Sequence, residues 1–475
     1  MKEATTGPRS VSPKLIATFV FIAAGLVIAV IKPFDGMDST GNIMLGTVVA
    51  ALATWIFRPA GGTFIVGAAV VLLGGSFAGL PMTDLAVGFA SAPLWLMIPA
   101  MFMGAALLKT GLARRIVYAF FKRLNLNYGK ILAGWFVVNI LFALINPSST
   151  ARFLLITPIA VSVADACQLE KGSRERSLII ISAWALSLFP AIAWKNGSLF
   201  GPVFSEFLPT GPMRDMATDE MWFRVMAPWL LFGVVFTIAL YFMLKPKQKL
   251  GVTRAQIAKM YDDLGPMSRE EKGCLIAFVL MMVCLVLQTF LPLTTHMALL
   301  AALVILLLLG VISPKEVSSG ISWDTVVFFG MILSFTRIFE VSGITAWLSP
   351  MLSSLMAPIA FSPLVFVLAL YGICVIIRFF DVTQGWVSAA ILALATPMLF
   401  SDFGINPLIP IMVFVCASQL FFFRYHQPWI LQAESVCGDS GWNPRHLTKS
   451  SILYAVLVVA FLVFCHYYWQ LVGVM

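Results

Sequence analysis

The chain has 475 residues, 60% of them hydrophobic and 11% charged, with a net charge of +9 and a mean hydropathy of +0.94. Soluble domains carry about a quarter charged residues, and a chain this apolar would need an outsized core to fold in water. A secreted disulfide scaffold, a nucleic-acid binder and a disordered chain are therefore excluded, and an all-α polytopic membrane protein is expected.

The apolar residues form runs of about bilayer length near 15–31, 43–57, 61–80, 92–108, 176–208, 224–244, 273–291, 296–312, 322–340, 406–438 and 452–472. These predict about 11 transmembrane helices. The first run is long enough to span and lacks the cleavage pattern of a signal peptide. With the N-terminus placed in the cytoplasm, 23 of the 31 Lys and Arg fall on inner segments. Lys32 and Arg214 lie on outer loops, beside Asp35, Asp38, Asp215, Asp219 and Glu220. This is the positive-inside asymmetry, so the excess charge encodes topology and puts the C-terminus outside. A multi-pass protein of the plasma membrane, a bacterial inner membrane, is expected. The seven cysteines are scattered through apolar runs without metal-type spacing. No phosphate loop, zinc-protease helix or nucleophile elbow occurs, so no enzyme and no cofactor are expected.

The two halves repeat. Lys109-Thr110-Gly111-Leu112 ends one run, and Val341-Ser342-Gly343-Ile344 ends another 232 residues later. Asn146-Pro147-Ser148-Ser149-Thr150 interrupts the apolar stretch 128–166, as Asp381-Val382-Thr383-Gln384-Gly385 interrupts 363–400. Trp194-Lys195-Asn196-Gly197-Ser198 breaks a third run, and Arg424-Tyr425-His426-Gln427-Pro428 breaks its counterpart. After Gly111 come Arg114, Arg115, Lys122, Arg123 and Lys130 without an acid, whereas 344–362 is uncharged. The first segment therefore lies inside and the second outside. Two inverted-topology repeats follow, an architecture of secondary transporters with the substrate at the midplane.

The limb 131–145 has 15 residues, roughly 22 Å of helix at about 1.5 Å per residue, against a hydrocarbon core of about 30 Å. Two re-entrant hairpins, 128–166 and 363–400, are expected to dip in from opposite sides. Plain helical hairpins with turns at the surface remain the alternative. Non-helical backbone at mid-depth is tolerated only where it is buried in protein or lines a cavity, so the tips mark a site. The expected organisation is 1–91, N-terminal scaffold helices; 92–245, first repeat, with the broken helix 176–208; 246–321, cytoplasmic linker and scaffold helices; and 322–475, second repeat, with the broken helix 406–438.

Six basic residues fall inside the apolar runs: Arg152, Lys195, Arg224, Arg337, Arg378 and Arg424. Each costs about 2.5–3.5 kcal/mol at a helix centre. Arg224 starts a span and can reach the headgroups, and Arg337 is expected to pair with Glu340. The other four cluster at the tips and breaks, where buried cations suit an anion. Alternatives stand beside this reading. Asp381 serves the site or neutralises Arg378 or Arg424; Arg152 serves the site or caps hairpin carbonyls; His426 relays a proton or packs.

Leu94-Trp95-Leu96 through Arg114-Arg115, Ile321-Ser322-Trp323-Asp324-Thr325, and above all Pro147-Ser148-Ser149-Thr150-Ala151-Arg152 with Pro158 resemble the divalent anion:sodium symporter family. The last motif is similar to the Pro-Ser-Asn-Thr-Ala-Arg form of its di- and tricarboxylate carriers, and Tyr467–Gly473 is similar to family C-termini. The resemblance spans essentially the whole chain. It implies an elevator-type transporter, a homodimer in membrane lipid, with sodium as coupling ion and a small anionic substrate. Carried over, Ser148, Ser149, Thr150 and Gly197 surround a first sodium, and Asp381, Thr383 and Gln427 the second site. Substrate contacts are expected from Ser148, Ser149, Thr150, Lys195, Asn196, Asp381, Thr383, Arg424, His426 and Gln427, supported by Arg152 and Arg378.

Ser149 stands where the family has Asn, and Asp381-Val382-Thr383 replaces its second Ser-Asn-Thr. Arg424 and His426 stand where it has uncharged residues. The second sodium site is therefore expected to be altered, with sodium-independent anion exchange and proton coupling as alternatives. A proton or metalloid carrier would rely on acids, an enzyme on converging acid–base or metal ligands, and a channel would not need the repeat.

Overall fold

The computed structural model describes residues 12–58, 62–124, 126–146, 148–248, 250–251, 254–288, 290–360, 362–379, 385–386, 388–389, 393, 396–423, 426–438 and 441–475. Among the described residues every regular element is a helix, because a helix satisfies its backbone polar groups internally and lipid offers no partners. Short polar side chains start these helices. Ser12 accepts from the Leu15 amide, Asp38 from the Gly41 amide at 2.7 Å, and Ser173 from the Arg176 amide at 3.1 Å, each supplying an acceptor to an orphan donor.

Six of the described helices are long and apolar enough to cross a bilayer: Pro13–Ile31, Ser39–Phe57, Ala92–Thr110, Arg174–Ala193, Asp219–Leu244 and Pro444–Leu471. A seventh span arises if Trp323–Val341 and Ile344–Leu352, bent by 87°, count together. Phe64–Phe77, Tyr128–Leu144, Thr295–Leu308, Pro363–Arg378 and Leu408–Ser418 are shorter apolar helices. Each falls below the ~20 residues that a straight crossing needs, and three of them belong to the hairpins and the second broken helix.

The chain divides into two compact units. One comprises Met1–Ser91, Ser322–Met356 and Ala390–Ala395. Within it, Pro13–Ile31 and Ser39–Phe57 meet backbone to backbone: a Cβ on Gly25 would overlap the Gly46 carbonyl oxygen, and the converse holds. Small residues are what permit such an approach in membrane helices. Trp323–Val341 packs on Phe64–Phe77, where Trp55 donates to the Phe64 carbonyl at 2.8 Å. Arg337 pairs with Glu340 at 3.2 Å and also with Asp84 at 2.9 Å.

The other unit comprises Ala92–Ile321, Ala357–Ala389 and Thr396–Met475. Its axis is Arg174–Leu188, buried from Glu175 onward and packed against Tyr128–Ile145, Ser149–Ala166 and Pro228–Leu244. The amphipathic helix Leu112–Phe121 is fastened to the start of Arg269–Leu287 by a two-pronged ion pair, Arg115 Nε and Nη2 on Glu271 at 2.9 and 3.0 Å. Lys109 reaches Glu316 at 3.0 Å and the Val311 carbonyl at 2.9 Å.

Candidate functional site

The first interruption arises where the sequence forbids a continuous helix. Tyr128–Ile145 stops at Asn146 and Ser149–Ala166 starts after Ser148. Asn146 precedes Pro147, and a residue before proline is driven out of the helical region; it is extended at φ −137°, ψ 109°. Its Oδ1 accepts from the Ser148 amide at 2.8 Å, and the Ser148 hydroxyl accepts from the Ala151 amide at 3.3 Å. The two local caps hold the tip open, with Asn146 and Ser148 buried. Thr150 lies in the first turn of the second limb.

The adjacent broken helix is built from Arg174–Leu188, short 3-10 turns at Pro190–Ala193 and Lys195–Gly197, and Phe200–Phe207. The chain folds back so tightly that a Cβ on Gly197 would overlap the Ala191 carbonyl oxygen, and one on Gly201 the Lys195 carbonyl oxygen. The break leaves carbonyls without helical partners. Arg152 supplies the donors. Its guanidinium, 2% exposed, donates through Nε to the Ser187 carbonyl at 3.1 Å. Nη1 donates to the carbonyls of Gly197 at 2.9 Å and Asn146, and Nη2 to the Ser149 hydroxyl at 3.3 Å. Arg152 thus joins the tip to the break and gathers Asn146, Ser149, Ser187 and Gly197 into one cluster.

Lys195 and Asn196 share the 3-10 turn with Gly197, but their side chains leave the cluster. The Lys195 ammonium donates to the Ala217 carbonyl, and the Asn196 amide to the Thr295 hydroxyl at 3.1 Å.

The second interruption is its counterpart. Pro363–Arg378 leads to the second tip, and Leu408–Ser418 and Pro428–Cys437 flank the second break. Arg378, buried like Arg152, donates from Nη2 to the His426 carbonyl at 2.7 Å. The Gln427 amide donates to the carbonyls of Ser418 at 2.7 Å and Leu420 at 2.9 Å. The His426 ring stands edge-on to Phe379 at 5.5 Å and Phe423 at 5.3 Å. Asp381, Thr383 and Arg424 lie outside the described residues.

The two repeats interlock. Just past the second tip, Trp386 stacks on Phe200 at 4.9 Å and 18° and meets Phe204 at 5.2 Å, both on the far half of the first broken helix. In return Pro428–Cys437, the far half of the second broken helix, packs on the limb Ser149–Ala166 of the first hairpin. Each half therefore offers its hairpin to the other half's broken helix. Sequence reasoning placed Asn146 in the tip motif without giving it a role, and did not single out the Ser187 carbonyl, Phe200 or Trp386. An asparagine directly before the tip proline was the one available signal among them.

Known transporters are similar to this chain over most of its length. The sodium:sulfate symporter transmembrane region matches residues 12–475. A putative malate transporter, YflS, of Bacillus subtilis is 23% identical over 355 residues, 72% of this chain and 73% of its own. Dicarboxylate transporter 1 of spinach chloroplasts is 24% identical over 350 residues, 69% of this chain and 59% of its own. In fold, the chain is similar to Alcanivorax borkumensis YdaH, a transporter of unusual topology, with a TM-score of 0.53 at 14% identity, covering 81% of this chain and 88% of that one. The chain belongs to the sodium:sulfate symporter family, the divalent anion:sodium symporters, and is a membrane transporter and not an enzyme.

Proposed function

We propose that this chain is a secondary active carrier of small di- or tricarboxylates, or of oxyanions and sulfonates of similar charge. It works as a homodimer in the plasma membrane, by an elevator movement of the interlocked hairpins and broken helices. The observation that carries the reading is the pair of buried guanidinium groups. Arg152 and Arg378 each run from a hairpin to a carbonyl of the neighbouring helix break, at Gly197 and His426. A charge at such depth costs about 2.5–3.5 kcal/mol on insertion and marks a substrate or ion path, and fixed positive charge beside non-helical backbone suits an anion. The inverted repeats expected from the sequence, with a site between them, would supply alternating access. The relatives named for malate and dicarboxylates support the substrate class.

The coupling is read from the first tip. Sodium symport through one intact site with an altered second site, proton coupling, and exchange of one anion for another all fit the sequence. The engagement of Arg152 with the oxygens of the first site favours exchange.

The test is a thermal-shift screen of purified protein against malate, succinate, citrate, sulfate and taurine, followed by uptake of the best ligand into vesicles. Saturable uptake with stabilisation by a carboxylate is the expected result. Flux that does not saturate, or stabilisation by none of the anions, overturns the reading.

A further inference from the structure

A second polar concavity lies away from the tips and breaks. At the face that the charge rule assigns to the cytoplasm, Arg174–Leu188 and Pro444–Leu471 begin and Pro228–Leu244 ends, and the three helices pack on one another. Between their ends is a cavity of about 370 Å³, walled by Ser173, Arg174, Glu175, Lys247, Asn443 and His446. Ordinary ligand sites span about 300–1,000 Å³. Arg174–Leu188 has 15 residues, roughly 22 Å at about 1.5 Å per residue, so the cavity stands well apart from the first break.

The hydrogen bonds that build the wall leave its cations unspent. Glu175, the one acid in the lining, accepts at Oε1 from the amides of Lys247 and Gln248 at 2.7 and 3.2 Å. That fastens the segment after Leu244 to the start of the broken helix. The Asn443 side chain donates to the Gly172 carbonyl at 3.3 Å, and its main-chain N–H to the Ser177 hydroxyl at 3.1 Å. The same hydroxyl meets His446 Nδ1 at 2.9 Å. Since it already accepts from Asn443, it gives its proton to Nδ1, and the imidazole carries its own on Nε2. Among the described residues, the side chains of Arg174 and Lys247 and the Nε2 of His446 have no hydrogen-bond or ion-pair partner. Lys449, one turn past His446, lies close enough to act on it electrostatically, as does Arg174. The positive charge therefore exceeds what Glu175 cancels, and the first turns of two helices add to it.

We propose that this cavity binds a phosphate group, held by the guanidinium of Arg174, the ammonium of Lys247 and the Nε2–H of His446. A guanidinium offers a planar fork, an ammonium a point charge and an imidazole a single N–H, and the acceptor oxygens of one phosphate can take all three. Two sources bring that chemistry to this level. Basic residues bordering membrane helices attract the headgroups of anionic phospholipids, and the cytoplasm supplies soluble phosphate compounds. Either one would tie the start of the broken helix to the last helix and to the segment after Leu244. The proposal does not depend on which anion the chain carries.

The test is binding to the purified full-length chain in a neutral detergent. One arm titrates a fluorescent phosphatidylglycerol, with diacylglycerol of the same chains as the phosphate-free control. The other titrates inorganic phosphate and pyrophosphate by calorimetry. Saturable binding in at least one arm is expected. Lys247→Gln and Arg174→Gln should each weaken it roughly tenfold, the loss of one charge-assisted hydrogen bond. Lys272→Gln, an exposed lysine at the start of another helix, should leave it unchanged. Binding of phosphatidylglycerol alone makes the headgroup the source, and binding of the soluble phosphates alone makes it a solute; both outcomes support the site. No saturable binding in either arm overturns the proposal. So do equal affinities of wild type and Lys247→Gln, an equal loss in Lys272→Gln, or diacylglycerol that binds as tightly as phosphatidylglycerol in the absence of phosphate binding. Should Arg174→Gln fail to fold, Lys247→Gln, in an exposed segment outside the helices, decides alone.

Discussion

The two helix breaks solve one problem with different chemistry. An interrupted helix leaves carbonyls that need donors, and in lipid no water supplies them. At the first break the donor is the guanidinium of Arg152, which reaches across from the hairpin to Ser187 and Gly197. At the second, the neutral amide of Gln427 serves Ser418 and Leu420 within the break itself, and Arg378 adds a bond to the His426 carbonyl. A neutral local donor holds a break open and leaves the field around it unchanged. A charged donor from another element fastens hairpin to break and fixes a positive charge there. Both breaks are therefore tied to a hairpin by a guanidinium, and the second adds a neutral donor of its own, although the sequence repeat treats the two alike.

Substitutions can break that contrast. The largest effect is expected from Arg152→Leu, which strips donors from three buried carbonyls and a hydroxyl. Each such group left unsatisfied costs about 1–3 kcal/mol, so a large fall in the melting midpoint of purified protein is expected, and an unchanged midpoint would show that the clamp carries no stability. Next comes Gly201→Ala, whose new Cβ meets the Lys195 carbonyl oxygen, backbone that cannot swing aside. Overpacking of this kind costs ~1–3 kcal/mol, and loss of monodisperse protein on size-exclusion chromatography is the expected readout. Gln427→Leu is expected to cost less than Arg152→Leu, about 1–2 kcal/mol for the carbonyls it leaves. Equal losses would erase the difference between the breaks.

The smallest effect lies outside the membrane, where acids rather than cations set the stability. Arg115 holds the Glu271 carboxyl below the usual range through its hydrogen bonds. The Ser313 amide, the Ser313 hydroxyl and Lys109 bring Glu316 down to about 2. Both folded values lie below the ordinary Glu value of about 4.3. Their stabilisation is therefore complete above about pH 5 and is lost as the pH falls through the folded values. Because Glu316 and Lys109 are each about one-third exposed, Lys109→Ala should change the acid-side slope of thermal stability by less than ~1 kcal/mol. A shift on the alkaline side instead would remove this assignment.

Much of the architecture was legible because it is local. The run 92–108 became Ala92–Thr110, 224–244 contains Pro228–Leu244, and the polar stretches at 146–150 and 194–198 became a tip and a break. Apolar length, proline and small polar caps act on neighbouring residues, so a linear reading captures them. The family, too, was readable from the stretch around Pro147–Arg152. Arg337 does pair with Glu340, a neighbour three residues on, as expected, but the distant partners of long side chains were not legible. Lys195 and Arg152 were both read as buried cations, with carbonyl capping as the alternative for Arg152 alone; the Lys195 ammonium turns to the Ala217 carbonyl, while the Arg152 guanidinium donates to carbonyls of the tip and the break. The Glu271 partner of Arg115 lies 156 residues away.

The sequence by itself determined an all-helical membrane transporter of this family, because hydropathy and helix-stop signals are properties of short segments. Only the tertiary structure decided that Arg152 rather than Lys195 enters the oxygen cluster of the first hairpin. The carbonyls of Ser187 and Gly197 stand 35 and 45 residues along the chain from it, and a flexible cation goes to whichever orphan acceptors the packing of the hairpin against the broken helix brings within reach.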